Sequence, residues 1–194
     1  METSARKFNN QTHFLSKKQF DEHYKLYTGY VGKVEEITKD LASCQDRAQA
    51  NATYSQYRGL KKGETYALDG VILHERYFQL LGGEKTRPGD KTARILEEQF
   101  GGFENWKADF QACGLSARGW VIFLYEQRTQ TYRNILLDLH DEGLICGGYP
   151  LIVMDMYEHA YFIDYGTDKT KYISGFVDAI RWDLVEKAAQ IIAG

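Results

Sequence analysis

Apolar positions in this chain recur at helical spacing near the start, gather into short continuous runs in the middle, and return to helical spacing at the end. Ser16 is suited to cap a helix, and after it Phe20, His23, Tyr27 and Tyr30 follow at offsets of three, four and three, so they share one helical face. That pattern runs on through Val31, Val34 and Ile37. Over residues 55–81, Tyr66, Gly70, His74, Tyr77, Phe78 and Leu81 recur at threes and fours until Gly82-Gly83 stops the helix. The two segments predict a long helical hairpin. The stretch 82–89, with Thr86-Arg87-Pro88, is polar and rich in breakers, and it predicts a boundary between a helical domain at 1–83 and a second domain at 90–194. Residues 91–100 and 104–113 read as short helices, ended by Gly101-Gly102 and by Gly114. Then the period changes. Residues 119–126 and 131–139, rich in Val, Ile, Phe, Tyr and Leu, flank a polar turn at 127–130, and a third such run at 149–156 delivers Asp155 at its end. A final helical pattern over 172–192 passes through Ile173, Phe176, Ile180, Leu184 and Ala188. The predicted class is α+β: an N-terminal long helical hairpin, then an α/β domain whose three-stranded antiparallel sheet is flanked by helices.

At 194 residues the chain is long enough for one good core or two closely packed small domains, burying roughly 70% of its unfolded surface. A hydrophobic content of 43% with 26% charged residues is ordinary for a soluble fold, and no segment resembles a membrane span. The formal charge of -3 offers no basic face to nucleic acid, although Lys61-Lys62 leaves a local handle for a small anion. Cys44, Cys113 and Cys146 are scattered without a Cys-x-x-Cys spacing, which argues against a disulfide framework and against a thiolate metal site. The first ten residues lack the apolar stretch of a secretory signal, so the chain is expected in the cytoplasm, where the glycosylation sequons at Asn10 and Asn51 have no use.

Chemistry concentrates in few residues. Asp155 and His159 lie four apart where an apolar run ends, and His23 and His74 sit on the aromatic faces of the two hairpin helices. A lone His on such a face is usually a hydrogen-bonded core residue. Two of them on helices that pack antiparallel, opposite an Asp and a third His, have the composition of a mononuclear metal site built inside a bundle. Three imidazoles and one carboxylate suit a first-row transition metal with an open coordination position. Iron or manganese fits such ligands, zinc hydrolysis stays chemically open, and the lack of thiolates argues against Cu(I) or an iron–sulfur cluster. No Gly-x-Ser-x-Gly elbow, Walker loop or Gly-x-Gly-x-x-Gly fingerprint occurs, so nucleophilic serine, phosphate and dinucleotide chemistries have no signal.

Five pieces of the chain together resemble the iron/manganese superoxide dismutases: Leu15-Ser16 through His23-Tyr24, Tyr30-Val31, Phe100-Gly101-Gly102-Phe103, Ala117-Arg118-Gly119-Trp120, and Asp155-Met156-Tyr157-Glu158-His159-Ala160-Tyr161. The last is the most specific, and the resemblance spans nearly the whole chain. It implies His23, His74, Asp155 and His159 as ligands of one Fe or Mn ion per subunit, joining the two domains. It implies superoxide as substrate, converted to dioxygen and hydrogen peroxide. In the family's terms Tyr30 matches a gateway tyrosine, and His140 stands where a Gln or His hydrogen-bonds metal-bound solvent. Gly70 is compatible with a side chain from position 140 entering the space beside it, and Tyr77 and Trp120 resemble an aromatic cage. Glu158 and Tyr161 resemble residues of a homodimer interface, with a tetramer as the alternative assembly and Glu158 reaching a ligand His of the partner subunit.

The chain also departs from that pattern. His23 and Tyr30 are seven residues apart where the family usually has eight, nearly two turns that keep one face, and the usual channel histidine is missing, with Tyr27 as a possible substitute. Tyr157 replaces the commoner Trp, and 167–172 lacks the family's Asn-x-Arg-Pro, so anion steering is expected to differ. The leading expectation is superoxide dismutation; the alternatives are a catalytically silent homologue kept as a structural or assembly subunit, and a mononuclear zinc hydrolase.

Overall fold

The computed structural model describes residues 4–8, 13–83 and 87–192. The sequon at Asn10 and residues 84–86 of the expected boundary lie outside the described residues. Helix α1 (Lys17–Ser43) starts where the Ser16 hydroxyl accepts a hydrogen bond from the Gln19 N–H, and α2 (Gln56–Leu80) starts in the same way at Ser55 and Arg58. A 3-10 turn at Asp46–Gln49 joins them. The helices pack along Phe20, His23, Tyr27, Val31 and Val34 on one side and Ala67, Val71, His74 and Phe78 on the other. Burying each of the larger apolar side chains stabilises the hairpin by about 1.5–3 kcal/mol.

Two short helices follow, α3 (Asp90–Phe100) and α4 (Phe103–Ser116). Gly101, at φ 74°, ends α3 in the left-handed conformation that a residue without Cβ adopts at little cost. Its N–H and that of Gly102 satisfy the last carbonyls of the helix. The sheet comprises β1 (Trp120–Glu126), β2 (Thr131–Leu137) and β3 (Gly148–Asp155), antiparallel in the order β2-β1-β3. Central β1 is buried almost throughout, as its continuous apolar run requires. On edge strand β3 the register shifts opposite Phe123 and Leu124, next to Pro150, which has no N–H to give a ladder. Trp120 pairs with Asp155, so the sheet carries Asp155 to the same level as the start of β1.

After a 3-10 turn (Glu158–Ala160) come α5 (Phe162–Tyr165), α6 (Lys169–Ala179) and α7 (Trp182–Ile192). The helical pattern expected over 172–192 is carried by two helices, α6 and α7. At Ile180 the chain turns extended and bridges Leu81, while Gly83 N–H donates to the Ala179 carbonyl and Arg181 N–H to the Leu80 carbonyl. Pairing with the end of α2 outcompetes helix continuation. The break also rotates the buried face of α7 to Trp182, Val185 and Ala189, away from the expected Leu184 and Ala188. Gly83 allows this contact, since a Cβ there would lie 1.8 Å from the Ile180 carbonyl oxygen. One core runs from the hairpin through the sheet to α6 and α7.

Candidate metal centre

Four buried or half-buried side chains from four elements of the fold meet between the hairpin and the sheet. α1 supplies His23, α2 supplies His74, β3 ends on Asp155, and the following 3-10 turn supplies His159. Their candidate donor atoms all lie within 4.8 Å of one another. Asp155 Oδ2 is 3.1 Å from His23 Nε2, 3.2 Å from His159 Nε2 and 3.6 Å from His74 Nε2. Donors that share an ion at bonds of about 2.1 Å lie about 3.0–4.2 Å apart, which matches these separations. His74 shows most directly what the site is prepared for. Its Nδ1 hydrogen-bonds the Gly70 carbonyl at 2.6 Å, so that nitrogen carries the proton and Nε2 is a bare lone pair, buried without any hydrogen-bond partner. A buried acceptor left in that state is costly unless something binds it. Three imidazole nitrogens and one carboxylate oxygen fit a divalent or trivalent first-row ion, and no sulfur takes part.

Electrostatics keep the donors in the state that binds a cation. Burial pushes His74 down to about 3 and lowers His23 too, so both imidazoles stay neutral. Burial disfavours the Asp155 carboxylate, yet His159 and His23 beside it hold it ionised, well below the usual carboxylate range. Burial also opposes a charge on His159, but Asp155 outweighs it and raises the imidazole above its ordinary value.

The donors are held from behind. Tyr157 N–H donates to Asp155 Oδ1 at 2.9 Å, leaving Oδ2 for the site. The Tyr172 hydroxyl donates to the Asp155 carbonyl at 2.7 Å and lies 3.2 Å from that of Tyr77. Buried Gln19 donates to the His159 carbonyl at 2.6 Å and accepts from Ile163 N–H at 3.0 Å, pinning the 3-10 turn to α1. Gln19 and Tyr172 were not singled out in the sequence. A helical Gln beside a capping Ser resembles a surface residue until its burial is known.

The remaining expected residues are placed as follows. Tyr77, fully buried, stands 5.1 Å ring to ring from His23, and Trp120 stands edge-on to His74 at 5.0 Å. His140 lies in the turn after β2, buried, with Nε2 2.8 Å from the Tyr30 hydroxyl and Nδ1 2.9 Å from Trp120 Nε1. Burial pushes its imidazole down to about 4. The shorter spacing from His23 still leaves Tyr30 at the site, 5.4 Å from the His74 ring. The space over Gly70 is filled by the Tyr30 ring rather than by position 140, with 3.0 Å between that ring and a Cβ built on Gly70. Tyr27 does not stand in for the missing channel histidine: its hydroxyl accepts from Arg6 N–H at 2.8 Å and donates to Glu75 at 2.9 Å, tying the N-terminal strand of chain to the hairpin. Tyr161 is buried in its own chain against Tyr172 at 4.8 Å, whereas Glu158 is exposed. Glu158 and half-buried His159 line one open pocket with Arg118, Tyr157 and Lys169, and another with Leu26, Phe162 and Ile163.

Comparison with known proteins places this geometry. Residues 88–188 match the family described as iron/manganese superoxide dismutases, C-terminal domain. The chain is 38% identical over 177 residues to the superoxide dismutase [Fe] of Aquifex aeolicus, covering 89% of this chain and 83% of that protein. It is 37% identical over 173 residues to the superoxide dismutase [Fe] of Cupriavidus metallidurans, covering 87% and 85%. With superoxide dismutase [Mn] 1 of Halobacterium salinarum it shares 31% identity over 164 residues, covering 83% and 79%.

Proposed function

Because this chain belongs to the iron/manganese superoxide dismutase family, we propose that it converts superoxide to dioxygen and hydrogen peroxide at a mononuclear site held by His23, His74, Asp155 and His159. The observation that carries the reading is the convergence of three imidazole Nε2 atoms on one carboxylate oxygen, with the His74 lone pair otherwise unpartnered. Bound there, iron or manganese supplies a one-electron shuttle between trivalent and divalent states. The rest falls to the protein. Asp155 offsets one unit of the ion's charge and the neutral imidazoles offset none, so the site stays attractive to a small anion. Trp120, Tyr77 and Tyr30 wall it off, which admits a diatomic anion and excludes larger ligands. Trp120 donates to His140 Nδ1, so the proton of the neutral imidazole sits on Nε2 and points at the Tyr30 hydroxyl. Tyr30 and His140 thereby hold hydrogens beside the site, where peroxide formation consumes two.

In this reading residues 1–83 and 90–194 are two domains clamped by the ion, and its binding stabilises both. Exposed Leu26, Phe162 and Ile163 beside exposed Glu158 support a homodimer closed over the site's open side, with Glu158 reaching the partner. Among the described residues no helix is long and apolar enough to cross a membrane, and the three cysteines are unpaired, which suits the reducing cytoplasm.

The test is to purify the protein, measure bound metals by mass spectrometry, reconstitute it with each ion, and assay superoxide loss. Near-stoichiometric iron or manganese with dismutation is expected. Either ion bound with no activity would favour the silent structural homologue, and zinc occupancy with activity insensitive to redox state would favour a hydrolase.

A further inference from the structure

His159 is the most exposed of the four donors, its side chain 26% exposed against 0% for the other three, so burial holds it least. Its backbone is held instead. The His159 carbonyl and the Ile163 N–H are four residues apart, the pair that a continuous α-helix bonds directly. Here the Gln19 carboxamide enters between them. Gln19 Nε2 donates to the His159 carbonyl at 2.6 Å, and Gln19 Oε1 accepts from the Ile163 N–H at 3.0 Å. A carbonyl only accepts and an N–H only donates, so one orientation of the amide satisfies both. The inserted amide keeps the 3-10 turn (Glu158–Ala160) distinct from α5 (Phe162–Tyr165), and it gives an acceptor to an N–H in the first turn of α5, where helices leave such groups without one.

Gln19 is fully buried and lies four residues before His23 on α1, hence on the same helical face. The His23 ring stands 4.9 Å from the His159 ring, and the two Nε2 atoms lie 3.1 and 3.2 Å from Asp155 Oδ2. One turn of α1 therefore carries a candidate ligand and the side chain that fixes the backbone of another. Ser16 adds a third tie, its N–H donating to the Asp164 carboxylate at 2.6 Å.

We propose that Gln19 is a positioning residue for the metal site: by standing in for the backbone hydrogen bond between 159 and 163, it sets the separation of His159 from His23. This rests on the function proposed above. Without the carboxamide, the 159 carbonyl and the 163 N–H are free to bond each other. The turn then winds on into α5, and the His159 imidazole leaves the place it shares with His23 beside Asp155.

The test variant is Gln19→Met, close in size to Gln and without its polar groups, with Ser16→Ala as the control. Ser16→Ala removes the hydroxyl that caps the same end of α1 and leaves both Gln19 side-chain contacts in place. The manganese(II) affinity of the full chain, measured by competition with a chelator, is expected to fall about tenfold in Gln19→Met and to stay at the wild-type value in Ser16→Ala. The electron paramagnetic resonance spectrum of the bound manganese(II) is expected to change in Gln19→Met alone, because it reports ligand geometry and not stability. Wild-type affinity in Gln19→Met, or an equal loss in both variants, overturns the assignment. A measurement on the wild type depends on no variant folding: in the metal-free protein the N–H of Ile163, an exposed residue, is expected to be protected from solvent exchange. Exchange at the rate of a free amide overturns the assignment, whereas a wild type that binds manganese(II) without dismutase activity overturns only the proposed function.

Discussion

At the residue scale, each candidate donor is defined by what its other atoms do. His74 gives Nδ1 to Gly70 and keeps Nε2 bare, so His74→Ala removes one of four donors and is expected to abolish metal loading, as metal analysis of the purified variant would show. Full occupancy in that variant would contradict the ligand assignment. His140 has a different place, since both its ring nitrogens are engaged by Trp120 and Tyr30 and none faces Asp155. His140→Ala should therefore keep the ion but shift its reduction potential and cut turnover, and unchanged turnover would remove it from the mechanism. His23, His74, Asp155 and His159 were all legible as candidates because His is rare here and each sits in an apolar setting. Tyr66 was visible only as one more aromatic on a helical face. Its ring neighbours, His140 at 4.5 Å and Tyr30 at 6.2 Å, come from other elements, and no spacing in the chain reveals that.

At the element scale, the site depends on how firmly β3 and the turn after it are held. The Tyr172 hydroxyl on α6 donates to the Asp155 carbonyl, and Tyr77 on α2 lies behind it, so two helices brace the end of the strand. Tyr172→Phe leaves that buried carbonyl short of a donor and is expected to cost about 1–3 kcal/mol in urea unfolding, with weaker metal binding. An unaltered unfolding midpoint would show that the brace carries no load. The hairpin helices and the three strands were legible from capping serines and from the change of period. The break between α6 and α7 was not, because helical spacing persists across Ile180 and the force that breaks it comes from Leu80, Leu81 and Gly83, about a hundred residues upstream.

At the scale of the whole molecule, stability and pH are coupled through the buried imidazoles. Burial holds His74 near 3 and His140 near 4 and lowers His23, against an ordinary value of 6.5. Between pH 6.5 and about 4 the unfolded chain therefore binds protons that the folded chain refuses, so stability falls as pH falls. His159 works in the opposite sense. Its raised value contributes stability that is full below 6.5 and is lost as pH rises through the folded value, so it drops out of the acid window. Asp155, held below 3.8, adds a further loss only in stronger acid. The urea midpoint of the metal-free protein is accordingly expected to decline steadily from pH 6.5 to 4. A flat profile would mean that these imidazoles are not buried neutral in solution.

The chain by itself determined the helical hairpin, the β-rich middle and the candidate donors, because periodicity, capping residues and the scarcity of histidine are local properties. Which nitrogen of His74 is bare, which way hydrogens point from Trp120 through His140 to Tyr30, and where the helical pattern at the end of the chain breaks were decided only in three dimensions. Those outcomes turn on partners brought together across 95 residues between Tyr77 and Tyr172, or 110 between Tyr30 and His140. Hydrogen-bond polarity belongs to the whole set of partners, and no single segment contains that set.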